Sequence, residues 1–277
     1  MGFSEWMANG SLEDRIRDHT LYKGSDAEKQ ARLLDIAIQF ARGLHYAHES
    51  GLIHQDVKPH NLLLSNTWEA KVSDFGIANA RAQLTVKEDP EGGDKRSTRM
   101  GGKNIYTPAY CSMEQMDGKK LTRATDIYSW AVSVMEMYYQ DVPWANGVIA
   151  GMSCRDFFTD CKIRMPAALQ ELLANCLEMN PDDRPGDFTV VEKKLRSIYQ
   201  EVTGKSYPRP EPRAAADTAD SLNNRALTYI DLGMPEKAEE AWAQALKNDP
   251  DNASVIFNRA IHRFRSGKAT IQEAEDM

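Results

Sequence analysis

The chain has 277 residues, 42% hydrophobic and 27% charged, with a formal net charge of −7. That size and composition fit one large globular domain or two smaller ones with their own cores, and the acidic balance speaks against nucleic acid or an anionic membrane as a partner. The four cysteines (Cys111, Cys154, Cys161, Cys176) form no Cys-x-x-Cys pair and no cluster with histidine, which argues against zinc or a disulfide framework and suits a reducing, cytoplasmic setting.

The first residues show no basic stretch followed by an apolar one, so no secretory signal is expected. Trp6 stands where a myristoylation signal needs Ser or Thr, and no run approaches the roughly 18 apolar residues of a membrane span. Phe3-Ser4-Glu5-Trp6-Met7 followed by Asn9-Gly10 reads as a strand entering a turn. Ser11, with Asp14 three positions on, marks the start of a short helix. From Asp26 to Glu49, Leu33, Ala37, Phe40, Ala41, Leu44 and Ala47 form one stripe, which predicts a long core helix ending near Ser50-Gly51.

Short strands are expected at Leu62–Leu64 and Ala70–Val72, and residues 81–104, polar and charged, read as a long exposed loop in which Ser97 and Thr98 lie among basic residues. Helical periodicity returns at 122–139, 167–178 and 187–201. Cys154 and Cys161, seven apart, read as apolar packing on one helix face. From Lys205 to Arg213, Tyr-Pro-Arg-Pro-Glu-Pro reads as a semi-extended, exposed linker.

The chemistry concentrates in His54-Gln55-Asp56-Val57-Lys58-Pro59-His60-Asn61, followed 18 residues after Asp56 by Asp74-Phe75-Gly76. Phosphoryl transfer needs a carboxylate to orient the attacking hydroxyl and oxygen ligands for magnesium. Two acidic residues and one amide on adjacent loops meet those needs. A lone Asp-Phe-Gly carries little weight, but further stretches follow in order: Leu44-His45-Tyr46-Ala47-His48 before Ile53-His54, then Thr107-Pro108-Ala109-Tyr110-Cys111-Ser112-Met113-Glu114, Asp126-Ile127-Tyr128-Ser129-Trp130-Ala131 and Arg184-Pro185.

Together these resemble the catalytic loop, metal-binding loop, substrate loop and central helix of eukaryotic-type protein kinases of the Ser/Thr class. The resemblance spans residues 1–201 and implies a mainly α fold: a kinase C-terminal lobe, α-rich with short β hairpins. It implies ATP and Mg2+ as cofactors, Asp56 as catalytic base, Lys58 neutralising charge on the transferred phosphate, and Asn61 and Asp74 as metal ligands. Glu5 and Met7 would lie in the adenine-binding hinge, with Ser4 as gatekeeper, Ser11 near the ribose and Leu63 under the base. Arg184 would pair with Glu114. Asp-Val-Lys-Pro and Thr107 point to Ser/Thr rather than Tyr, and the Thr107–Tyr110 stretch to a protein rather than a metabolite substrate.

Three residues depart from the family pattern. Gln55 replaces the arginine that answers an activation-loop phosphate, which implies little dependence on such a phosphate. Met113 replaces a proline and Ala131 a glycine. The resemblance begins at the hinge, so a kinase N-lobe, with its Gly-rich loop, strand lysine and helix glutamate, is expected to be missing here.

In the tail, Leu222, Asn224-Arg225-Ala226 and Gly233 recur 34 positions later as Ile256, Asn258-Arg259-Ala260 and Gly267. That is the tetratricopeptide period, and Tyr229, Leu232, Ala238, Trp242, Ala245 and Pro250 fit its small–large pattern. The expected division is a kinase lobe at 1–201, a Pro-rich linker at 202–217 and α–α repeats at 218–277, the second incomplete. The leading function is a Ser/Thr protein kinase whose repeats recruit a protein partner. The alternative is a non-catalytic, kinase-like scaffold, which Gln55 and the missing N-lobe favour.

Overall fold

Ser11 and Asp14 open the first helix of the chain, for which a computed structural model describes residues 7–49, 52–74, 99–101, 104–210, 218–231 and 234–267. Helix α1 (Leu12–Arg17) starts with a reciprocal capping box: Asp14 Oδ2 accepts from Ser11 N and Oγ at 2.9 and 2.8 Å, and Asp14 N donates to Ser11 Oγ at 3.2 Å. The apolar stripe after it forms α2 (Asp26–Glu49), in which Leu33, Ala37, Phe40, Ala41 and Leu44 are fully buried.

Strands β1 (Leu62–Leu64) and β2 (Ala70–Val72) make an antiparallel hairpin with Leu62 opposite Val72. This hairpin lies against α2 where the helix has a glycine. A Cβ on Gly43 would come within 2.6 Å of Val72 Cγ2, so only glycine admits that approach. Gln39, one turn earlier, fastens the hairpin: its Nε2 donates to Trp68 O and its Oε1 accepts from Ala70 N, both at 2.9 Å.

Residues 81–98, 102 and 103 of the expected loop lie outside the described residues. Its end is not a loop. There β3 (Arg99–Gly101) pairs antiparallel with β4 (Asn104–Tyr106), so backbone pairing stands where polar composition implied a loop.

The rest of this unit is helical: α3 (Met113–Met116), α4 (Arg123–Tyr139), α5 (Gly147–Met152), α6 (Cys154–Thr159), α7 (Ala167–Cys176) and α8 (Phe188–Thr203). Helix α4 is the axis of the core, with Ile127, Trp130, Ala131, Val134, Met135 and Tyr138 all buried. A helix apolar on every side must be surrounded, and α2, α7 and α8 contribute to the surrounding core. Cys154 begins α6 whereas Cys161 lies beyond its end, so the expected shared helix face does not form. All four cysteines are free, and burial pushes the Cys161 and Cys176 thiols up to about 12.

The expected exposed linker also needs correction in its first part. Tyr207 is buried, its ring meeting Tyr199 edge-on and taking Arg42 on its face at 5.0 Å. Its hydroxyl donates to Asp35 Oδ1 at 2.7 Å, and Arg209 grips the same carboxylate in a fork at 2.8–3.1 Å while reaching Trp68 O at 3.2 Å. Two rings and a fork with one carboxylate to share outweigh the extended bias of the surrounding prolines. The compact unit accordingly runs from Met7 to Arg209.

The second unit holds α9 (Ala219–Asp231), α10 (Pro235–Asn248) and α11 (Ala253–Arg265). Leu222, Ala226, Ala238, Trp242, Ala245 and Val255 form its core, large against small as the repeat pattern predicts. Leu232 and Gly233 lie outside the described residues. Among those described, no helix is long and apolar enough to cross a membrane.

The strap yields a prediction. Asp35→Ala removes the common partner of Tyr207 and Arg209, and trypsin cleavage after Lys205 should accelerate about tenfold as that segment opens locally. Global stability should fall by only about 1 kcal/mol, because the ion pair is partly exposed. Cleavage at the unmodified rate would show that Asp35 does not hold the strap.

Candidate active site

Position 126 organises the site. Asp126 is fully buried at the start of α4, and a buried carboxylate must be met by donors. Its Oδ2 accepts from His54 N at 2.8 Å and His48 Nε2 at 2.7 Å, and its Oδ1 accepts from Gln55 N at 2.8 Å. Helix α2, the loop after it and α4 are thereby joined at one point. The turn this requires puts Gln55 in the left-handed region at φ +67°, an uncommon conformation for a residue with a Cβ. The carbonyl of Gln55 is met by Gln115 Nε2 at 2.7 Å.

His54 joins this loop to the next. Its Nε2 lies 2.9 Å from the Ser73 carbonyl, which can only accept, so Nε2 carries the proton and Nδ1 accepts from Asp56 N at 3.3 Å. Ser73 N donates to Asn61 O at 2.9 Å. Asp74 follows at φ +60° with its side chain exposed and one carboxylate oxygen 3.3 Å from Ser73 Oγ.

The structure brings Asp56, Lys58 and Asn61 together. Lys58 Nζ lies 2.8 Å from Asp56 Oδ2 and donates to Thr107 Oγ1 at 2.8 Å, while Thr107 Oγ1 donates to Asp56 Oδ1 at 2.6 Å. Asn61 Nδ2 donates to Asp56 O at 2.8 Å. Burial pushes the Asp56 carboxyl up. The Lys58 ammonium and the hydrogen bonds from Lys58 and Thr107 outweigh burial and hold it below the usual aspartate range. The group is an anion at neutral pH, fixed by a cation and a hydroxyl.

Of the expected nucleotide contacts, Ser4 and Glu5 lie outside the described residues. Met7 is buried, and the chain after it runs beside β1: Asn9 N donates to Leu64 O, Leu64 N donates to Gly10 O, and Ser11 bridges to Leu63. Met7, Ser11 and Leu63 therefore belong to neighbouring stretches of backbone. The Ser11 hydroxyl donates to Asp14 in the helix cap.

On the other side of Thr107, Glu114 and Arg184 form the expected pair, buried and bidentate at 2.7 and 3.0 Å. Arg184 also donates to Glu178 O and Ala124 O and lies over the Tyr128 ring at 4.7 Å, while Thr125 Oγ1 donates to Glu114. Burial pushes the Glu114 carboxyl up, but Arg184's hydrogen bonds and charge, aided by Thr125, pull it further down. The stretch between is pinned by Ser129 Oγ to Tyr110 O and Trp144 Nε1 to Ala109 O, each at 2.8 Å. Sequence reasoning did not single out the links made by His48 and Gln115. Their polar character at positions flanked by core residues was the signal available.

The arrangement presents an ionised carboxylate with an adjacent ammonium at the mouth of a loop, and a second loop ending in an exposed carboxylate. The protein kinase domain family matches residues 3–196, and the tetratricopeptide repeat family matches residues 219–252. Serine/threonine-protein kinase A of Synechocystis sp. is 33% identical over 217 residues, covering 72% of this chain and 38% of that protein. Human mitogen-activated protein kinase kinase kinase 1 is 31% identical over 191 residues, 66% of this chain and 12% of that one. Dual specificity protein kinase zakA of Dictyostelium discoideum is 26% identical over 243 residues, with 80% and 28% covered. The chain thus spans well under half the length of these relatives.

The buried pair sets a pH dependence. Because the folded Glu114 carboxyl sits below its ordinary value of 4.5, its contribution is complete above that value and fades as pH falls through the folded one. Glu114→Gln leaves Arg184 buried without its counter-ion and should cost about 3–5 kcal/mol at pH 7. The gap between the two proteins in urea unfolding should narrow as pH drops below about 4.5. A gap constant with pH would mean the charge on Glu114 is not what stabilises the fold.

Proposed function

Since this chain belongs to the protein kinase family, we propose that it supplies the catalytic lobe of a serine/threonine protein kinase, moving the γ-phosphoryl group of ATP to a hydroxyl on a protein. The observation that carries this reading is the closed set of Asp56, Lys58 and Thr107, with Asn61 fastened to the same loop. A scaffold has no need of an ionised carboxylate held between an ammonium and a hydroxyl.

In this reading the substrate oxygen attacks the γ-phosphorus, the bond from that phosphorus to the β–γ bridging oxygen breaks, and ADP leaves. The hydroxyl proton passes to the Asp56 carboxylate. As a depressed carboxylate, Asp56 is a weak base, so its main task is to aim the hydroxyl and take the proton late in the transfer. Lys58 stands beside Asp56 to balance charge on the moving phosphoryl group.

The donor set fits magnesium. Asn61 commits its Nδ2 to a carbonyl, which leaves its amide oxygen to face a cation, and Asp74 adds an exposed carboxylate. Hard oxygen donors in small number, completed by phosphates and water, suit Mg2+. Among the described residues no group of three or more His, Cys, Asp or Glu competes for a metal. Bound Mg2+ would neutralise charge on the phosphates, and Asn61 and Asp74 would hold it. Met7 and Glu5 would meet adenine through the backbone, with Leu63 beneath it and Ser11 beside the ribose. Ser11 would act only as a shared hydroxyl, given its bond to Asp14. The helical repeat would recruit a protein partner.

The test is phosphate transfer by the full-length protein to a mixed Ser/Thr peptide library. Asp56→Asn should lower kcat by about 10²–10⁴-fold, and Asp74→Asn should raise the Mg2+ concentration needed for half-maximal rate, with melting temperatures unchanged. Phosphatase treatment should leave the rate within about twofold, since Gln55 offers no charge to an activation-loop phosphate. Full activity in Asp56→Asn, or no Mg-ATP binding by the parent protein, would overturn the reading.

A further inference from the structure

Gln115 is buried to 1% exposure and uses both ends of its amide. Its Oε1 accepts from Ser112 N at 3.1 Å, closing the cap of α3, while its Nε2 donates to the Gln55 carbonyl at 2.7 Å, 60 positions away in the chain. The orientation is forced, because turning the amide over would set oxygen against carbonyl and NH2 against N–H.

Gln55 directly precedes Asp56 and occupies the left-handed region. Its N–H is held by Asp126 and its C=O by Gln115, so both polar backbone groups of the strained residue are fixed from opposite sides. The peptide plane leaving Gln55 is the one that delivers the Asp56 backbone N, whose partner is His54 Nδ1. Holding that plane holds the direction in which Asp56 leaves the backbone. The contacts at the other end of the same segment do not substitute for this one. Thr107 holds the Asp56 carboxylate through a side-chain bond, whereas Gln115 meets the backbone.

We propose that Gln115 is a positioning residue for Asp56: its amide locks the Gln55 peptide and thereby aims the carboxylate, tying the catalytic loop to α3 by a neutral hydrogen bond. This rests on the reading of Asp56 as the base. It gives the chain a fixed, phosphate-independent link between the catalytic loop and the stretch following Thr107, beside a position where Gln55 offers no guanidinium. Of its two partners, Gln115 is buried and Gln55 half-buried in the folded lobe.

Two variants separate positioning from folding. Gln115→Glu keeps the oxygen that caps Ser112 N and puts a second acceptor against the Gln55 carbonyl. Gln115→Met removes the link without adding charge. In the full-length protein both should speed amide hydrogen exchange at Gln55 and Asp56 about tenfold while α4 keeps its protection. Both should lower kcat at least about tenfold with the KM for ATP within twofold, as expected for a misaimed group that does not touch nucleotide. Unchanged exchange at Gln55 and Asp56 would overturn the proposal, as would faster exchange with full kcat. A parent protein that transfers no phosphate would overturn the kinase reading and the catalytic half of this one, while exchange would still decide whether Gln115 holds the loop.

Discussion

The carboxylate of Asp126 cannot be hydrated, and its three donors come from two stretches of the chain: a side chain near the end of α2 and two successive backbone N–H groups of the loop that follows. Satisfying one buried anion therefore fixes where the loop starts, how it turns and which face of it looks outward. Two consecutive N–H groups aimed at one carboxylate oblige the chain to double back, and the left-handed Gln55 is the residue that absorbs the bend. Everything described at Asp56, Lys58 and Asn61 is downstream of that geometry. His54, set in place by its own N–H, carries it into the neighbouring loop through Ser73.

Around this hub the charges of Asp56, Lys58, Glu114 and Arg184 are each answered. Asp56 faces Lys58 and Thr107 on the loop's outer side, and Glu114 faces Arg184 beneath it. The segment from Thr107 to Glu114 runs between the two, touching the first with its first residue and the second with its last. Ser129, Trp144 and Gln115, the last through Ser112 N, clamp it along the way. A stretch with only a single 3-10 turn (Pro108–Tyr110) and the first residues of α3 is thus given the rigidity of a core, which on the proposed reading suits a surface that must align a hydroxyl with a carboxylate.

What could be read from the sequence follows from distance along the chain. Local signals served well: the stripe gave α2 its bounds, alternation with turn residues gave β1 and β2, the Ser11–Asp14 spacing gave the first cap, and the 34-residue period gave the second unit. The motif order gave Asp56, Lys58 and Asn61 as neighbours. Contacts that join distant segments left no local trace. Gln115 and Gln55 are separated by 60 positions, and Tyr207 and Asp35 by 172. Proline content rightly marked 205–210 as non-helical but said nothing about the carboxylate waiting on α2. Helices α5 and α6, six residues each, are too short to display a period.

The helical repeat contains one polar triangle inside an otherwise apolar cluster. Asn223 Oδ1 accepts from Trp242 Nε1 at 2.9 Å and from Asn258 Nδ2 at 3.1 Å, so α9, α10 and α11 meet at a single oxygen. Leucines and alanines tolerate sliding, since one apolar contact is much like the next. This oxygen does not. A slip of α11 by one turn would carry Asn258 about 5.4 Å away and leave its amide without this partner where water cannot reach. The triangle therefore acts as an alignment key: it adds little to the strength of the stack, but it rejects the misregistered stackings that a purely greasy repeat would accept.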